Sequence, residues 1–175
     1  AVRYGYALAL LKNGQHTLAR EALQPLLDKE RDRLAYQLAL ADIELAVGRV
    51  DSAIDIYQEN QRLYPDDRAL TLKQVQALLR NGRPAPAEKL LQTQLELGES
   101  SRDLYKLMAQ AKGQMGQQSQ SHSWLAEYYY QSGLLKAAAD QLKLASEAAG
   151  RDEFQRAKIA SRLREVEQAL AQMEQ

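Results

Sequence analysis

This sequence predicts an all-α fold: a right-handed α-solenoid of about ten antiparallel helices that ends in a C-terminal capping helix. Three observations carry that reading. A glycine returns every 34 residues, at Gly14, Gly48, Gly82 and Gly116. A small residue follows each glycine at an offset of five (Ala19, Ala53, Ala87, Ser121), and another precedes it by seven (Ala7, Ala41, Val75, Ala109). Large apolar residues keep step in further columns: Leu10 and Leu78; Leu11, Leu45 and Leu79; Leu23, Tyr57, Leu91 and Leu125. A fixed period in this range means that each repeat is one supersecondary unit whose apolar face is buried by its neighbours. Glycine suits the turn that ends the first helix of a pair, because a left-handed residue there costs a non-glycine side chain about 1–2 kcal/mol. The small columns let paired helices approach, and a larger side chain would overpack the contact at about 1–3 kcal/mol.

The period and its small columns resemble the tetratricopeptide helix pair. Apolar spacing, glycine stops and polar turns predict helices near 1–13 and 16–29, then 33–47 and 50–63, then 67–80 and 84–96. Pro25 falls late in the second helix, removes the bond to the Glu21 carbonyl and should bend that helix or end it early. Tyr64-Pro65-Asp66-Asp67 turns the chain into the third pair, since Pro65 cannot continue a helix. Pro84 and Pro86 lie in a first turn, where a missing N–H costs little. The fourth pair occupies 102–115 and 118–131.

Gly133 follows Gly116 by only 17 residues, so the helix at 118–131 closes the fourth repeat and opens a fifth. The second helix of that repeat runs over 135–149 to Gly150. Asp152 reads as an N-cap for the last helix, with Glu153 in its first turn. Ile159, Leu163, Val166, Leu170 and Met173 then form one apolar stripe. A stripe of about two heptads suits a cap over the end of an array better than a coiled-coil dimer. Arg156, Lys158, Arg162 and Arg164, flanked by Asp152, Glu153, Glu165 and Glu167, predict a solvated face on that helix. The repeats so placed are 1–33, 34–67, 68–101, 102–131 and 119–149, with the cap at 152–173, in one domain over 1–175. Ala1-Val2-Arg3-Tyr4 opens in helical register without a capping residue, so a fragment of a longer chain is expected.

Composition narrows the function classes. Lys and Arg total 23 against 23 Asp and Glu, and a net charge of zero gives no global field to draw in nucleic acid or an anionic membrane. No cysteine is present, which excludes disulfides, thiolate catalysis and cysteine metal sites. No apolar run approaches the length of a membrane span. The two histidines, His16 and His122, lie far apart and no HExxH spacing exists. Ser121-His122-Ser123 are adjacent on a helix and point in different directions, without an oxyanion loop. The chain is therefore expected to be noncatalytic, with no metal or cofactor of its own.

Binding readings fare better, because the first helices of stacked pairs line the concave face of such an array. The usual register places Tyr4, Leu8, Leu38 and Asp42 there, followed by Leu72, Lys73, Gln76 and Arg80, then Lys106 and Gln110. The early part is apolar and the later part polar; an apolar groove implies a peptide or another domain that covers it. A register shifted by one residue would instead make Tyr4, Leu38 and Leu72 core. The fourth column leaves that alternative open, since it holds Arg3, Gln37 and Thr71 in place of an aromatic. On the shared helix Trp124, Glu127 and Tyr130 complete the candidate set, whereas Leu125 and Tyr129 fall on core columns. The asparagine-and-lysine clamp for a carboxy-terminal peptide is not supported, because Asn13, Asn60 and Asn81 sit in turns or a second helix.

The segment Leu107-Met108-Ala109-Gln110-Ala111, with Gly116, His122, Ala126-Glu127-Tyr128, Gly133, Ala138, Gln141-Leu142 and Ala145, resembles the tail of BepA-type periplasmic zinc metalloproteases. Ala22-Leu23-Gln24-Pro25-Leu26-Leu27 is similar too. That resemblance implies a periplasmic, noncatalytic tetratricopeptide domain that packs on an upstream HExxH protease domain, the only place where zinc is expected. It also implies partners among the components that assemble outer-membrane β-barrel proteins. The family's catalytic residues match no position here. The alternative function is a tetratricopeptide adaptor of a different complex with no protease attached.

Overall fold

Ten helices and no strand occupy the described residues, which are 2–65, 67–98 and 100–173 of the computed structural model. In chain order they are α1 (Val2–Lys12), α2 (His16–Lys29), α3 (Leu34–Ala46), α4 (Val50–Leu63) and α5 (Arg68–Arg80). They continue with α6 (Pro84–Glu96), α7 (Arg102–Gln114), α8 (Gln118–Gln131), α9 (Leu135–Ala148) and α10 (Glu153–Met173). Ala1, expected in the first helix, and Asp66, expected in the turn before the third pair, lie outside the described residues.

The turns follow from local chemistry. At the end of α3, Gly48 takes φ 80° and donates to the Leu45 carbonyl at 3.1 Å, while the Arg49 N–H reaches the Glu44 carbonyl at 2.8 Å. This is the Schellman arrangement, in which a left-handed residue lets the chain satisfy the last helical carbonyls before it reverses. The turn through Gly133 repeats it, with φ 73° and a bond of 2.9 Å from the Leu134 N–H to the Tyr129 carbonyl. Helix starts use side chains: Asp67 accepts from the Leu70 N–H at 2.9 Å, and Asp152 from the Gln155 N–H at 3.0 Å. Pro84 opens α6 at its first position. Pro25 does not end its helix early; α2 runs to Lys29, the limit that the apolar spacing gave. Pro25 and Glu21 both face solvent, so water can take the orphaned Glu21 carbonyl, while buried Leu23 and Leu27 hold the flanking turns.

Packing divides the chain into two units, Ala1–Asn81 and Gly82–Gln175. In the first, each helix from α1 to α5 packs against the next, and short connections make neighbours antiparallel. Its core joins Ala7, Leu10, Ala19, Leu23, Leu27, Tyr36 and Ile43, then Ala41, Ala53, Tyr57, Leu70 and Ala77. Ala19 and Ala53 are wholly enclosed, as their column requires.

In the second unit, α6 packs on α7, α7 on α8, α8 on α9 and α9 on α10. Ala126, Leu135, Ala138, Leu142 and Ala145 form its main core with Ile159 and Val166 of α10. The apolar stripe of α10 is buried or half-buried from Ile159 to Leu170, but Met173 is exposed. At the column where the earlier repeats carry alanine, the Ser121 hydroxyl donates to the Ala109 carbonyl at 2.8 Å. Gly113 accommodates that serine: a Cβ there would lie 3.2 Å from the Ser121 Oγ. From Ser119 to Tyr130 no residue of α8 is exposed.

Candidate protein-binding site

The expected contact residues fall on two faces, one in each unit. In the first unit they lie on α1, α3 and α5. Tyr4 is half-buried; its hydroxyl donates to the Ala35 carbonyl at 3.1 Å and its ring sits 5.2 Å from that of Tyr36, tilted by 50°. Burial pushes the Tyr4 phenol pKa up, and the Asp42 carboxylate adds to the shift. Leu38 and Leu72 are half-buried and Leu8 is exposed. Buried Tyr36 and Leu70 mark the core side of these helices, and Tyr4 and Leu38 pack on the core edge. Between the two registers left open by the sequence, Tyr4 and Leu38 flank the core with one side and reach the surface with the other, and Leu72 is half-buried.

Asp42 is the polar centre of this face. Lys73 donates to both of its oxygens, at 3.0 and 3.3 Å, and the phenol of Tyr57 reaches it from α4 behind. Burial and the neighbouring carboxylate push the Tyr57 pKa far up, so the phenol stays neutral and serves Asp42 as a donor. Arg80 is close enough to oppose that shift electrostatically. Gln76 and Arg80 are exposed. With Asp42 neutralised by Lys73, the residual charge on this face is the positive one of Arg80.

In the second unit the candidates are Lys106 and Gln110 on α7, both exposed, and Trp124, Glu127 and Tyr130 on α8, all half-buried. Trp124 stacks on Tyr105 with ring centres 5.8 Å apart and planes at 20°. The Lys106 ammonium lies 5.8 Å over the ring of Tyr128, which meets Tyr129 edge-on at 5.2 Å. Aromatic area on α8 is therefore mostly spent within the unit, and Tyr130 joins Tyr129 against the core.

One partner on this face was not expected from the sequence. Arg162 of α10 grips both Glu127 oxygens at 2.8 Å each, places its guanidinium 4.4 Å from the Tyr130 ring centre and also pairs with Glu165 at 2.7 Å. These bonds push its pKa further up. The solvated basic face expected for α10 holds at Arg156, Lys158 and Arg164, but Arg162 turns inward because Glu127 and Tyr130 offer it a bidentate and a π contact. A pair 35 residues apart has no spacing signature in the sequence. Among the described residues no group of acids and histidines could hold a metal, and no helix is long and apolar enough to cross a membrane.

Comparison with known proteins places this architecture. A tetratricopeptide-repeat family model matches residues 4–68. Over 168 residues the chain is 28% identical to the beta-barrel assembly-enhancing protease of Escherichia coli (strain K12), a match covering 96% of this chain and 34% of that protein. The protein of the same name from Yersinia pestis is 30% identical over 146 residues, covering 83% of this chain and 30% of the relative. The chain spans about a third of the length of these curated relatives. Among solved structures, the crystal structure of MamA protein superposes with a TM-score of 0.66 at 17% identity, over 99% of this chain and 94% of that one. MamA 41-end from Desulfovibrio magneticus RS-1 gives 0.65 at 14% identity, over 96% and 94%. At such identities these neighbours speak for the shared solenoid fold alone. The chain thus has a tetratricopeptide-like solenoid fold, matches the repeat model over residues 4–68, and is similar over nearly its whole length to one third of beta-barrel assembly-enhancing proteases.

Proposed function

We propose that this chain is the noncatalytic, partner-binding portion of a periplasmic zinc protease that serves the assembly and quality control of outer-membrane β-barrel proteins. The observation that carries the reading is the match to the beta-barrel assembly-enhancing proteases along 96% of this chain. Zinc and the catalytic residues belong, on this reading, to a protease domain elsewhere in the parent protein, and this chain needs no cofactor.

The division of labour follows from the two faces. Tyr4, Leu8, Leu38 and Leu72 present the apolar surface suited to a covering domain of the parent protein, with Asp42, Lys73, Gln76 and Arg80 as its polar continuation. Lys106, Gln110 and the Trp124 stack present a polar and aromatic surface suited to β-barrel assembly components or substrates. Glu127 and Tyr130 hold Arg162 and shape that surface from beneath.

Two measurements test the proposal. The parent gene, read upstream of this segment, should encode HExxH; its absence would sink the protease assignment and leave a tetratricopeptide adaptor of another complex. Crosslinking from a photoreactive residue placed at Gln110 in the full-length protein should capture a barrel-assembly component in the periplasm. Capture restricted to cytoplasmic proteins would overturn the location and the partner class together.

A further inference from the structure

In the first unit α2, α3 and α4 border a cleft of about 630 Å³ that contains none of that unit's candidate contact residues. On its floor sits Glu44, only 3% exposed. The repeat arithmetic makes this residue conspicuous, because the same column holds Leu10 one repeat earlier and Leu78 one repeat later. The fold accepts an aliphatic side chain there, and a buried carboxylate carries a desolvation cost that leucine avoids.

The Glu44 carboxylate is held from two sides. Arg20 of α2 binds Oε1, while Arg49 binds Oε2 through Nε and approaches Oε1 through Nη2 at 3.3 Å. Glu44 and Arg49 also bracket the Schellman turn, where the side chains at these two positions ordinarily make an apolar contact. Here an ion pair replaces it. The arginine hydrogen bonds hold the Glu44 pKa down against its burial.

A counterpart two repeats on shows what is unusual. Glu88 and Lys112 occupy the columns of Arg20 and Glu44 with the charges exchanged and pair at 2.5 Å. That pair is one-to-one and balanced. At Glu44 a single carboxylate faces two guanidiniums, so one positive charge is left over at the cleft floor, and each arginine side chain stays about half open to solvent. A fixed carboxylate between two arginines holds their planar forks in place, which is the preorganisation that bidentate recognition of a further anion needs. Asp55 and Glu59, one turn apart on α4, line the same cleft. They disfavour a doubly charged anion such as phosphate and favour a ligand that brings a cation beside its carboxylate.

We infer that this cleft receives a segment of a partner protein in which an acidic side chain docks on Arg20 and Arg49 while a lysine or arginine one helical turn away faces Asp55 and Glu59. This goes beyond the function proposed above, since the cleft lies between α2, α3 and α4 and is lined by none of the residues assigned to the two faces.

The probe is a blocked alanine-rich helical peptide carrying one Glu and one Lys four residues apart, titrated into isotope-labelled chain with detection of the arginine Nε–H and cleft methyl signals. The expected result is saturable movement of the Arg20 and Arg49 signals. Affinity should fall about tenfold when the peptide Glu becomes Gln, the usual scale for losing a charge-assisted bidentate contact. Glu44→Leu supplies the control for folding: it restores the residue of the neighbouring repeats, so the chain should keep its helicity and melt no lower, yet lose binding to the same extent as Arg20→Gln. The inference is overturned if Glu44→Leu and Arg20→Gln bind the peptide as tightly as the native chain. It is equally overturned if the peptide leaves the arginine signals unmoved, or if inorganic phosphate moves them at lower concentration than the peptide does. The gene upstream of this segment has no bearing on that result.

Discussion

Replacing Arg162 by glutamine removes the bidentate ion pair that ties α10 to Glu127 of α8. The structure sets the size of the effect. The Glu127 and Arg162 side chains are 26% and 29% exposed, so the pair lies between the exposed limit of about 0.2–1 kcal/mol and the buried limit of about 3–5 kcal/mol. A value near 2 kcal/mol, with about 0.5 kcal/mol more from the guanidinium over Tyr130, is expected for the single variant. For a chain of this size that lowers the melting temperature by roughly 5–10 °C. The assay is urea unfolding followed by circular dichroism on the native chain, Arg162→Gln, Glu127→Gln and the double variant. Because the two side chains bond each other, the cycle should return a coupling of about 1–2 kcal/mol. Additivity within about 0.3 kcal/mol would refute the argument, since it would mean that the bidentate contact is exchanged for water at no net cost.

Other outcomes follow from the same geometry. Ala53→Leu should destabilise the first unit by about 1–3 kcal/mol, because Ala53 is fully enclosed between α3 and α4; an unchanged urea midpoint would contradict the packing described. Gly48→Val should cost at least about 1–2 kcal/mol from backbone strain alone, given its φ of 80°, although no neighbour would clash with the new Cβ. Glu44 has a folded pKa held below its unfolded value, so its contribution is present above the ordinary Glu pKa and is lost as pH falls through the lower folded value. The urea midpoint of the native chain should therefore fall more steeply on acidification below pH ~4.5 than that of Glu44→Gln, and parallel curves would disprove the assignment. Lys106→Glu should weaken capture of a barrel-assembly component by the full-length protein with little change in melting, whereas Trp124→Ala should also lose about 0.5–1.5 kcal/mol with the Tyr105 stack.

The helix pairs were legible because their determinants are local and periodic. Gly14, Gly48, Gly82 and Gly116 all take positive φ, and the alanines around them are buried where the columns place them. At Pro25 the early stop was the weaker of two expectations, because propensity weighs the lost hydrogen bond and ignores solvent at Glu21 and core contacts at Leu23 and Leu27. The α8 face was half legible. Tyr129 was expected to pack, but the inward turn of Arg162 depends on how α10 lies along the α8–α9 pair, which no short-range pattern encodes. Glu44 did leave a trace, since its column reads Leu10, Glu44, Leu78, Lys112; an interrupted column carries as much information as an intact one.

The enclosure of α8 bears on how such an array can change length. Insertions of one whole repeat in the connection after α2 or α4 would reproduce an existing junction, because the helices on either side recur with the 34-residue period. No such block can be cut at α8. It packs against α7 as a second helix and against α9 as a first, and every residue from Ser119 to Tyr130 is buried or half-buried. Duplication or loss of that helix alone would leave an unmatched surface, so deletion of one repeat is expected to cost more stability within α7 to α10 than nearer the amino terminus.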